Sequence, residues 1–509
     1  MSSLVYYTPV HEIPSIVQNL RDQFDSGLTK DFEFRKKQLQ NILRFFDENA
    51  TAIDKALYDD LHKHRIEGRI SEVAPVVDEC KYLIKNLEKL AEPKNTSIRF
   101  KMHANAKVYV RKEPKGVVLV IGAWNYPVHL LLLPVVGAIA AGNCVVLKPS
   151  EVAEHTADFI SRVLPQYLDK RAYVIVNGGA EETTKLLEEK FDHIFYTGNG
   201  TVGRIVMSAA AKTLTPVTLE LGGKSPAVVT STADIDIAAH RLIWGKLFNT
   251  GQTCVAPDYV LVVKEKADEL LSAIRRALRE FYGNNAKDSD SYGRIINARH
   301  FDRLKRILDN IEKDKIVVGG ESDRESLFIA PTVVSPVAPD DPNLMRAEIF
   351  GPILPIVPVQ DLEEAVKVIK AHDHPLAMYI FSTSSAEYNY VLDKTNSGGT
   401  LVNDTLVHLL ELSLPFGGVG GSGMGSYHGE KSFETFTHER ATMVKTNALE
   451  SLMKTRYPPY NDDKETLMSL LVFGLPSTAT AKVKTIVGLF GSAWRVITTS
   501  GASNNQSKL

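Results

Sequence analysis

Residues 116–122 read GVVLVIG, 143–149 NCVVLKP, 172–178 AYVIVNG and 192–198 DHIFYTG. Each is an apolar run too short for a helix, and the runs alternate with helical stretches at intervals of roughly 20 to 30 residues. A strand with one wet face alternates apolar and polar residues, whereas a strand buried on both faces reads as a continuous apolar run. The rhythm therefore predicts βαβ units and a parallel sheet covered by helices on both sides, an α/β fold.

Working outward, the first hundred residues read as helices. Leu39, Ile42, Leu43 and Phe46 share one helical face, as do Ile53, Leu57 and Leu61, with charged residues between them. After LELGG a second α/β region opens with SPAVVT, holds Cys254 and the strand YVLVVK, and ends near Gly399 and Asn403. The segment after Pro415, FGGVGGSGMGSYHGEKSFETFTHER, is rich in glycine and then in β-formers. No Lys-Ser/Thr pair follows GGVGGSGMG, so it is not a phosphate-binding P-loop. His372 and His374 in AHDHP have no partners at metal-ligand spacing, and no metal site is expected.

The bulk properties exclude several classes. A chain of 509 residues is long enough for roughly two to four domains. With 59 basic and 61 acidic residues and a formal net charge of −2, nothing marks a nucleic-acid partner. The three cysteines, Cys80, Cys144 and Cys254, lie far apart, which disfavours a disulfide framework or a zinc site.

Four motifs, in chain order those of Asn125, Glu220, Cys254 and Glu348, carry reactive side chains, and a lysine–carboxylate pair stands in a fifth stretch. Cys254 stands in NTGQTCVAPDYV, whose polar, glycine-bearing lead-in predicts an exposed loop. A thiol has an ordinary pKa near 8.5, so Cys254 needs local help to become a thiolate that adds to a carbonyl. Cys80 and Cys144 read as buried structural residues. Glu220 in TLELGGKSPAVV has two readings: a general base that activates water, or a ribose-binding acid. The second arises because TGNGTVG (197–203) sets Gly198, Gly200 and Gly203 in G-x-G-x-x-G spacing after the strand HIFY. Asn125 in VVLVIGAWNYP follows a strand and precedes Tyr126 and Pro127, as an oxyanion donor or a plain turn former. Lys148 and Glu151 in LKPSE sit at a strand end, where α/β sheets bind ligands, or form a solvated surface pair. Glu348 in AEIFGPILP, read on its own, is a surface residue.

In this order, and spread from about Tyr7 to about Asn447, these four motifs resemble the aldehyde dehydrogenase superfamily. TLELGGKSP and GQTCVAPDYV are most similar to its class 3 branch, which includes the fungal and animal fatty aldehyde dehydrogenases. The resemblance implies a Rossmann-like cofactor domain over residues 1–220, with about 95–110 in a bridging arm. It further implies a catalytic domain over 221–405 and a return segment with a strand arm for oligomerisation over 406–450, before a C-terminal extension over 451–509. It makes Cys254 the nucleophile, Glu220 the base, and Asn125 an oxyanion donor together with the backbone N–H of Cys254.

For the cofactor, the same resemblance assigns Lys148 to the adenosine ribose and Gly198, Asn199, Gly200, Thr201, Val202 and Gly203 to the pyrophosphate. Glu348 would hold the nicotinamide ribose, and Phe350 would press on the nicotinamide side. Glu151 favours NAD over NADP, though similar class 3 enzymes tolerate NADP. Most relatives carry Ser or Thr where this chain has Gly200. Tyr126 and Phe416 line the implied substrate pocket, and the chain is expected to be a homodimer. The expected reaction is NAD(P)-dependent oxidation of medium- to long-chain fatty aldehydes through a cysteine thiohemiacetal and thioester. Aromatic aldehydes, apocarotenals and polar semialdehydes are alternatives. An inactive membrane-associated binding protein is another, against which the intact Cys254, Glu220 and Asn125 speak.

The two ends carry address signals. MSSLVYYTPVHEI lacks the basic and apolar regions of a secretory signal. At the other end Ser507, Lys508 and Leu509 form the SKL tripeptide read by the peroxisomal import receptor. Peroxisomal delivery is expected, with the cytoplasmic face of an intracellular membrane as the alternative. LMSLLVFGL is too short to span a bilayer. In AKVKTIVGLFGSAWRVIT, residues Val483, Ile486, Val487, Phe490, Trp494 and Ile497 share a helical face with Lys482, Lys484 and Arg495 off it. This stripe fits either a membrane interface or a cover over the substrate tunnel.

Overall fold

A computed structural model describes residues 4–448, 450–475 and 477–502. Ser507, Lys508 and Leu509, and the side chains of Lys484, Arg495 and Ile497, lie outside what it describes. The chain divides into two compact units, one built from the residues up to Leu90 with Pro114–Thr437, the other from Ala91–Glu113 with His438 onward.

Among the described residues the first unit contains two large sheets and a two-stranded one, Ser322–Asp323 with Phe328–Ile329. One large sheet is formed by β1 (Val117–Ile121), β2 (Cys144–Lys148), β3 (Tyr173–Ile175), β4 (His193–Thr197) and β5 (Val217–Glu220). The other is formed by β6 (Pro226–Val229), β7 (Tyr259–Val263), β8 (Ile316–Val318), β9 (Thr332–Val334), β10 (Ile353–Val359), β11 (Ala377–Phe381) and β12 (Gly399–Val402). After Pro415 the chain returns to the first sheet, where β13 (Gly423–Met424) pairs antiparallel with the end of β5. The strand orders are β13-β5-β4-β1-β2-β3 and β8-β9-β10-β7-β6-β11-β12. In the first sheet β1 to β5 are all parallel, and the order reverses direction between β1 and β4. Ligands in such sheets bind beyond the strand C-termini at that reversal.

The continuous apolar runs are strands because both faces are covered. Every residue of β1, β2 and β4 is buried, and each buried Val, Leu or Ile contributes about 1.5–3 kcal/mol. One cover is the helix His129–Ala141, HLLLLPVVGAIAA, buried on all sides and therefore apolar all round. Its last turn is held by the buried Arg35 of the helix Phe32–Leu61, which donates to the Ala140 carbonyl at 3.3 Å and to the Thr29 carbonyl at 2.6 Å. Burial lowers the Arg35 pKa to about 10.

In the second unit, strands Lys94–Asn95, Lys107–Pro114 and Thr437–Val444 make a three-stranded sheet. Most of these strand residues are exposed or half-buried. The helices Asp462–Phe473 and Ala479–Ala502 pack on each other, with Ser492 donating to Asp463 at 2.8 Å. Val483, Val487 and Phe490 are nonetheless exposed, as is Phe473. Among the described residues, no helix is long and apolar enough to cross a membrane.

Candidate active site

The first sheet brings four of the singled-out residues to one edge. Ile121 pairs in register with Lys148 on one side and Tyr196 on the other, and Thr197 pairs with Glu220. Lys148, the Gly198–Gly203 turn, Glu220 and the Asn125 loop thus all leave from the C-terminal edge of parallel strands.

At the end of β2, the buried Lys148 Nζ lies 2.6 Å from the Glu151 carboxylate. The pair is therefore a partly enclosed one rather than a solvated surface pair. After β4, Asn199 caps the helix Gly200–Ala211, its Oδ1 accepting from the Val202 N–H at 3.0 Å. The three glycines of the fingerprint differ in need. A Cβ at Gly198 would lie 2.2 Å from the Tyr196 hydroxyl, and one at Gly203 would lie 2.9 Å from Leu221. At Gly200 it would meet only Arg204, at 3.5 Å. Gly198 and Gly203 are set by packing, whereas Gly200 occupies a place that accepts a side chain.

Cys254 is approached from the second sheet's side. Asn249, Thr250 and Gly251 take φ values of 54°, 56° and 74° in succession, which swings the chain into a tight loop ahead of the thiol. The expectation of an exposed loop is overturned: Asn249–Thr253 are buried and only Cys254 keeps partial exposure. The amides of Asn249 and Gln252 are satisfied internally instead, while the buried Thr250 hydroxyl has no partner among the described residues. Gln252 Nε2 donates to the Arg294 carbonyl at 2.9 Å, its Oε1 accepts from the Ile296 N–H at 3.0 Å, and Asn249 Nδ2 donates to the Gln252 carbonyl at 3.1 Å.

The Asn125 loop is bonded directly to this segment. Asn125 Nδ2 donates to the Gln252 carbonyl at 3.1 Å, and the Tyr126 hydroxyl lies 2.6 Å from Thr253 Oγ1. This bond sets the orientation of the amide, with one N–H engaged and the other left over. Burial and the nearby Glu348 and Glu220 carboxylates push the Cys254 thiol up to about 12, while the N–H groups of Cys254 and Val255 act in the opposite sense. The carboxyl of Glu220 is buried, neither oxygen has a hydrogen-bond partner among the described residues, and desolvation raises its pKa well above the usual range.

Glu348 is drawn in by a gap in the LGG turn. A Cβ at Gly222 would sit 2.3 Å from its Oε2, and the Gly223 N–H bonds the carboxylate. Burial first, then Asp258, raises Glu348 to about 8. It is half-buried beside the thiol, not a surface residue as its local sequence reads. Phe350, with φ of 51°, packs edge-on against Trp124 at 5.3 Å, and Arg303 donates to the Ile349 and Phe350 carbonyls at 2.7 and 3.3 Å. Phe416 bridges to Tyr427 and stacks on His428 at 5.4 Å.

Some neighbours of the site carry no local sequence signal. Tyr427 is buried close enough to feel both Glu220 and Cys254, yet in GMGSYHG it follows a glycine run with no spacing that points to either. The ion pair of Lys63 and Glu72, discussed below, is equally silent. Among the described residues, no group of three or more His, Cys, Asp or Glu side chains is arranged to hold a metal.

Residues 5–442 match the model of the Aldehyde dehydrogenase family. The chain belongs to the aldehyde dehydrogenase family. It is 50% identical to the mouse aldehyde dehydrogenase, dimeric NADP-preferring, over 88% of this chain and 98% of that one. It is 49% identical to rat aldehyde dehydrogenase family 3 member A2, over 88% of this chain and 92% of the relative. Among solved structures, the substrate-bound state of Staphylococcus aureus AldH matches with a TM-score of 0.87 and 41% identity, covering 90% of this chain and 99% of that one. Like other aldehyde dehydrogenases, the protein is an oxidoreductase acting on aldehydes.

Proposed function

We propose that this aldehyde dehydrogenase oxidises medium- to long-chain aliphatic aldehydes to carboxylic acids, with NAD and also NADP, through a covalent Cys254 thioester. One observation carries the mechanism: two carboxylates, Glu220 and Glu348, face a single partly exposed thiol whose preceding residues are bonded to Asn125.

Cys254 loses its proton to the unpartnered Glu220, whose desolvated carboxylate gains by taking it up. Its sulfur then adds to the aldehyde carbon. The oxygen becomes an anion that the free N–H of Asn125 and the Cys254 backbone N–H stabilise, a contribution of about 3–4 kcal/mol for a well-placed donor. A nicotinamide cofactor held by Lys148, Asn199 and Glu348 would supply the two-electron hydride acceptor that oxidation of the thiohemiacetal to a thioester requires. Glu220 passes the thiol proton to solvent, then takes a proton from water as its oxygen attacks the thioester carbon; the carbon–sulfur bond breaks to release the acid, and the sulfur takes up the proton that Glu220 holds.

The residues present fit a dinucleotide. The Gly222 gap places the Glu348 carboxylate at the site, Lys148 and Glu151 stand at the end of β2, and Asn199 caps a helix at the sheet reversal. The Glu151 carboxylate favours a free ribose 2′-hydroxyl, while the mouse relative's name supports NADP as well. The aromatic side chains of Tyr126 and Phe416 and the resemblance to fatty aldehyde dehydrogenases support an apolar substrate.

A homodimer is part of the proposal, supported by the same relative's name and by the three-stranded sheet of the second unit, whose edge strand Thr437–Val444 is exposed along most of its length. Sedimentation showing a monomer at micromolar concentration would refute it. Peroxisomal delivery through Ser507, Lys508 and Leu509 rests on that tripeptide, and its deletion should leave a fluorescent fusion outside peroxisomes.

The substrate reading is tested by following nicotinamide reduction across aldehydes from acetaldehyde to octadecanal, with benzaldehyde and succinic semialdehyde beside them. The expected result is kcat/KM rising with chain length and lost in Cys254→Ala. Preference for benzaldehyde or the semialdehyde would discard the fatty substrate and keep the chemistry.

A further inference from the structure

The loop that presents Asn125 rests on a buried ion pair. Lys63 Nζ and Glu72 Oε1 are 2.6 Å apart, and neither side chain has any exposure. Such a pair is poor evidence for stability, because desolvating two charges offsets their attraction, so its remaining bonds are the informative part. Lys63 Nζ also donates to the Asn125 backbone carbonyl at 3.1 Å and lies 4.1 Å from the centroid of the Tyr126 ring. Glu72 Oε2 accepts the N–H groups of Val128 and His129 at 3.1 and 3.0 Å, at the start of the helix His129–Ala141.

The hydrogen bonds and ring contact of this one pair thus go to residues 125, 126, 128 and 129. On its far side the Asn125 carbonyl takes a second bond, from Asn249 Nδ2 at 2.9 Å, and the Asn125 amide reaches Gln252. Asn125 is held between the ion pair and the segment that ends in the nucleophile.

We propose that Lys63, braced by Glu72, is a positioning residue for aldehyde oxidation: its ammonium fixes the Asn125 backbone, so that the amide N–H not bonded to Gln252 meets the oxyanion. This rests on the reading of Asn125 as the oxyanion donor. Donors aimed before the reaction need no reorganisation during it, and a site left loose by its support loses that advantage. Lys63 touches neither substrate nor thiol in this role. Its loss should therefore appear in the transition state and not in ground-state binding.

The test uses the full-length protein carrying Lys63→Met with Glu72→Gln. This removes both charges together, since an unpaired buried carboxylate is strongly destabilising, and the amide oxygen that replaces the carboxylate can still accept from Val128 and His129. Rates with propanal are measured alongside the melting temperature, with Asn125→Ala made in both backgrounds. The paired variant is expected to melt within a few degrees of the parent, to lose about 10- to 100-fold in kcat, and to keep KM for propanal within about threefold. Asn125→Ala should cost about 100-fold or more alone, and little further in the paired variant.

Retained kcat in the paired variant, or the same cost of Asn125→Ala in both backgrounds, overturns the role of Lys63 and leaves that of Asn125 standing. An Asn125→Ala protein with undiminished kcat overturns the oxyanion reading beneath it. If the methionine pair fails to fold, Lys63→Gln with Glu72→Gln replaces it, with the same outcomes expected.

Discussion

Cys254, the proposed nucleophile, is poised without being ionised. Its thiol is pushed up to about 12 by burial and by the negative charges of Glu348 and Glu220, so the protein without substrate holds a thiol and not a thiolate. A base must take the proton when the aldehyde arrives, and the unpartnered Glu220 is the group beside it. The rate at which iodoacetamide labels Cys254 is accordingly expected to climb through about pH 7 to 9 with no plateau, read by peptide mass. Glu348→Gln removes the larger of the two charge effects and should move the curve to lower pH. A plateau near neutral pH in the parent would contradict this. Cys80 and Cys144, both buried with raised thiol pKa, should stay unlabelled over the same range.

At this scale the sequence shows the reactive groups better than it shows their surroundings. Cys254, Glu220 and Asn125 stand in motifs that can be read directly. The loop before Cys254 misleads, because polarity usually marks exposure, whereas Asn249 and Gln252 spend theirs on internal hydrogen bonds. Lys63 and Glu72 are invisible for a related reason. Charges among helical residues read as a solvated face, and a nine-residue separation is no helical contact, so only the tertiary fold reveals the pair.

Among the elements, the strands of the first sheet fall where the apolar runs place them. GVVLVIG becomes Val117–Ile121, NCVVLKP becomes Cys144–Lys148 and DHIFYTG becomes His193–Thr197. Continuous burial leaves no alternation to misread. The glycine fingerprint after the last of these is only partly structural, since Gly200 meets nothing that requires glycine. The helix Ala479–Ala502 also follows its apolar pattern, and Val483, Val487 and Phe490 lie exposed on it at 61%, 68% and 78%. We propose that this face lies in a lipid–water interface, since an exposed apolar helix face gains by entering one. The parent is expected to co-sediment with phosphatidylcholine vesicles, and Val487→Asp with Phe490→Asp to remain in the supernatant. Equal partition of the two would refute the membrane contact.

For the molecule as a whole, the decisive feature is that the first unit carries two large sheets whose first connection lies between Glu220 at the end of β5 and Pro226 at the start of β6. Glu220, the Gly222 gap and the turn that admits Glu348 all occur in that short crossing, and Cys254 comes from the second sheet's side just before β7. The succession of strands and helices in the first sheet was legible as a βαβ rhythm, though the order of the strands across it was not. The meeting of residues 125, 220, 254 and 348 was legible only through the resemblance, because four segments so far apart in the chain share no local spacing. The family assignment accounts for this meeting, and the covalent route is the claim built on it.

That claim is tested most directly by the intact mass of Glu220→Gln after mixing with decanal and NAD. This variant lacks both the base that activates water and the group that takes the Cys254 proton, so the mixing is done at about pH 9, where part of the thiol ionises unaided. The account predicts that the protein gains the mass of one decanoyl group, located on the peptide bearing Cys254 and absent when Cys254 is also changed to Ala. A protein that turns over or reduces the cofactor with no acyl group on Cys254, or with Cys254 replaced, would contradict it.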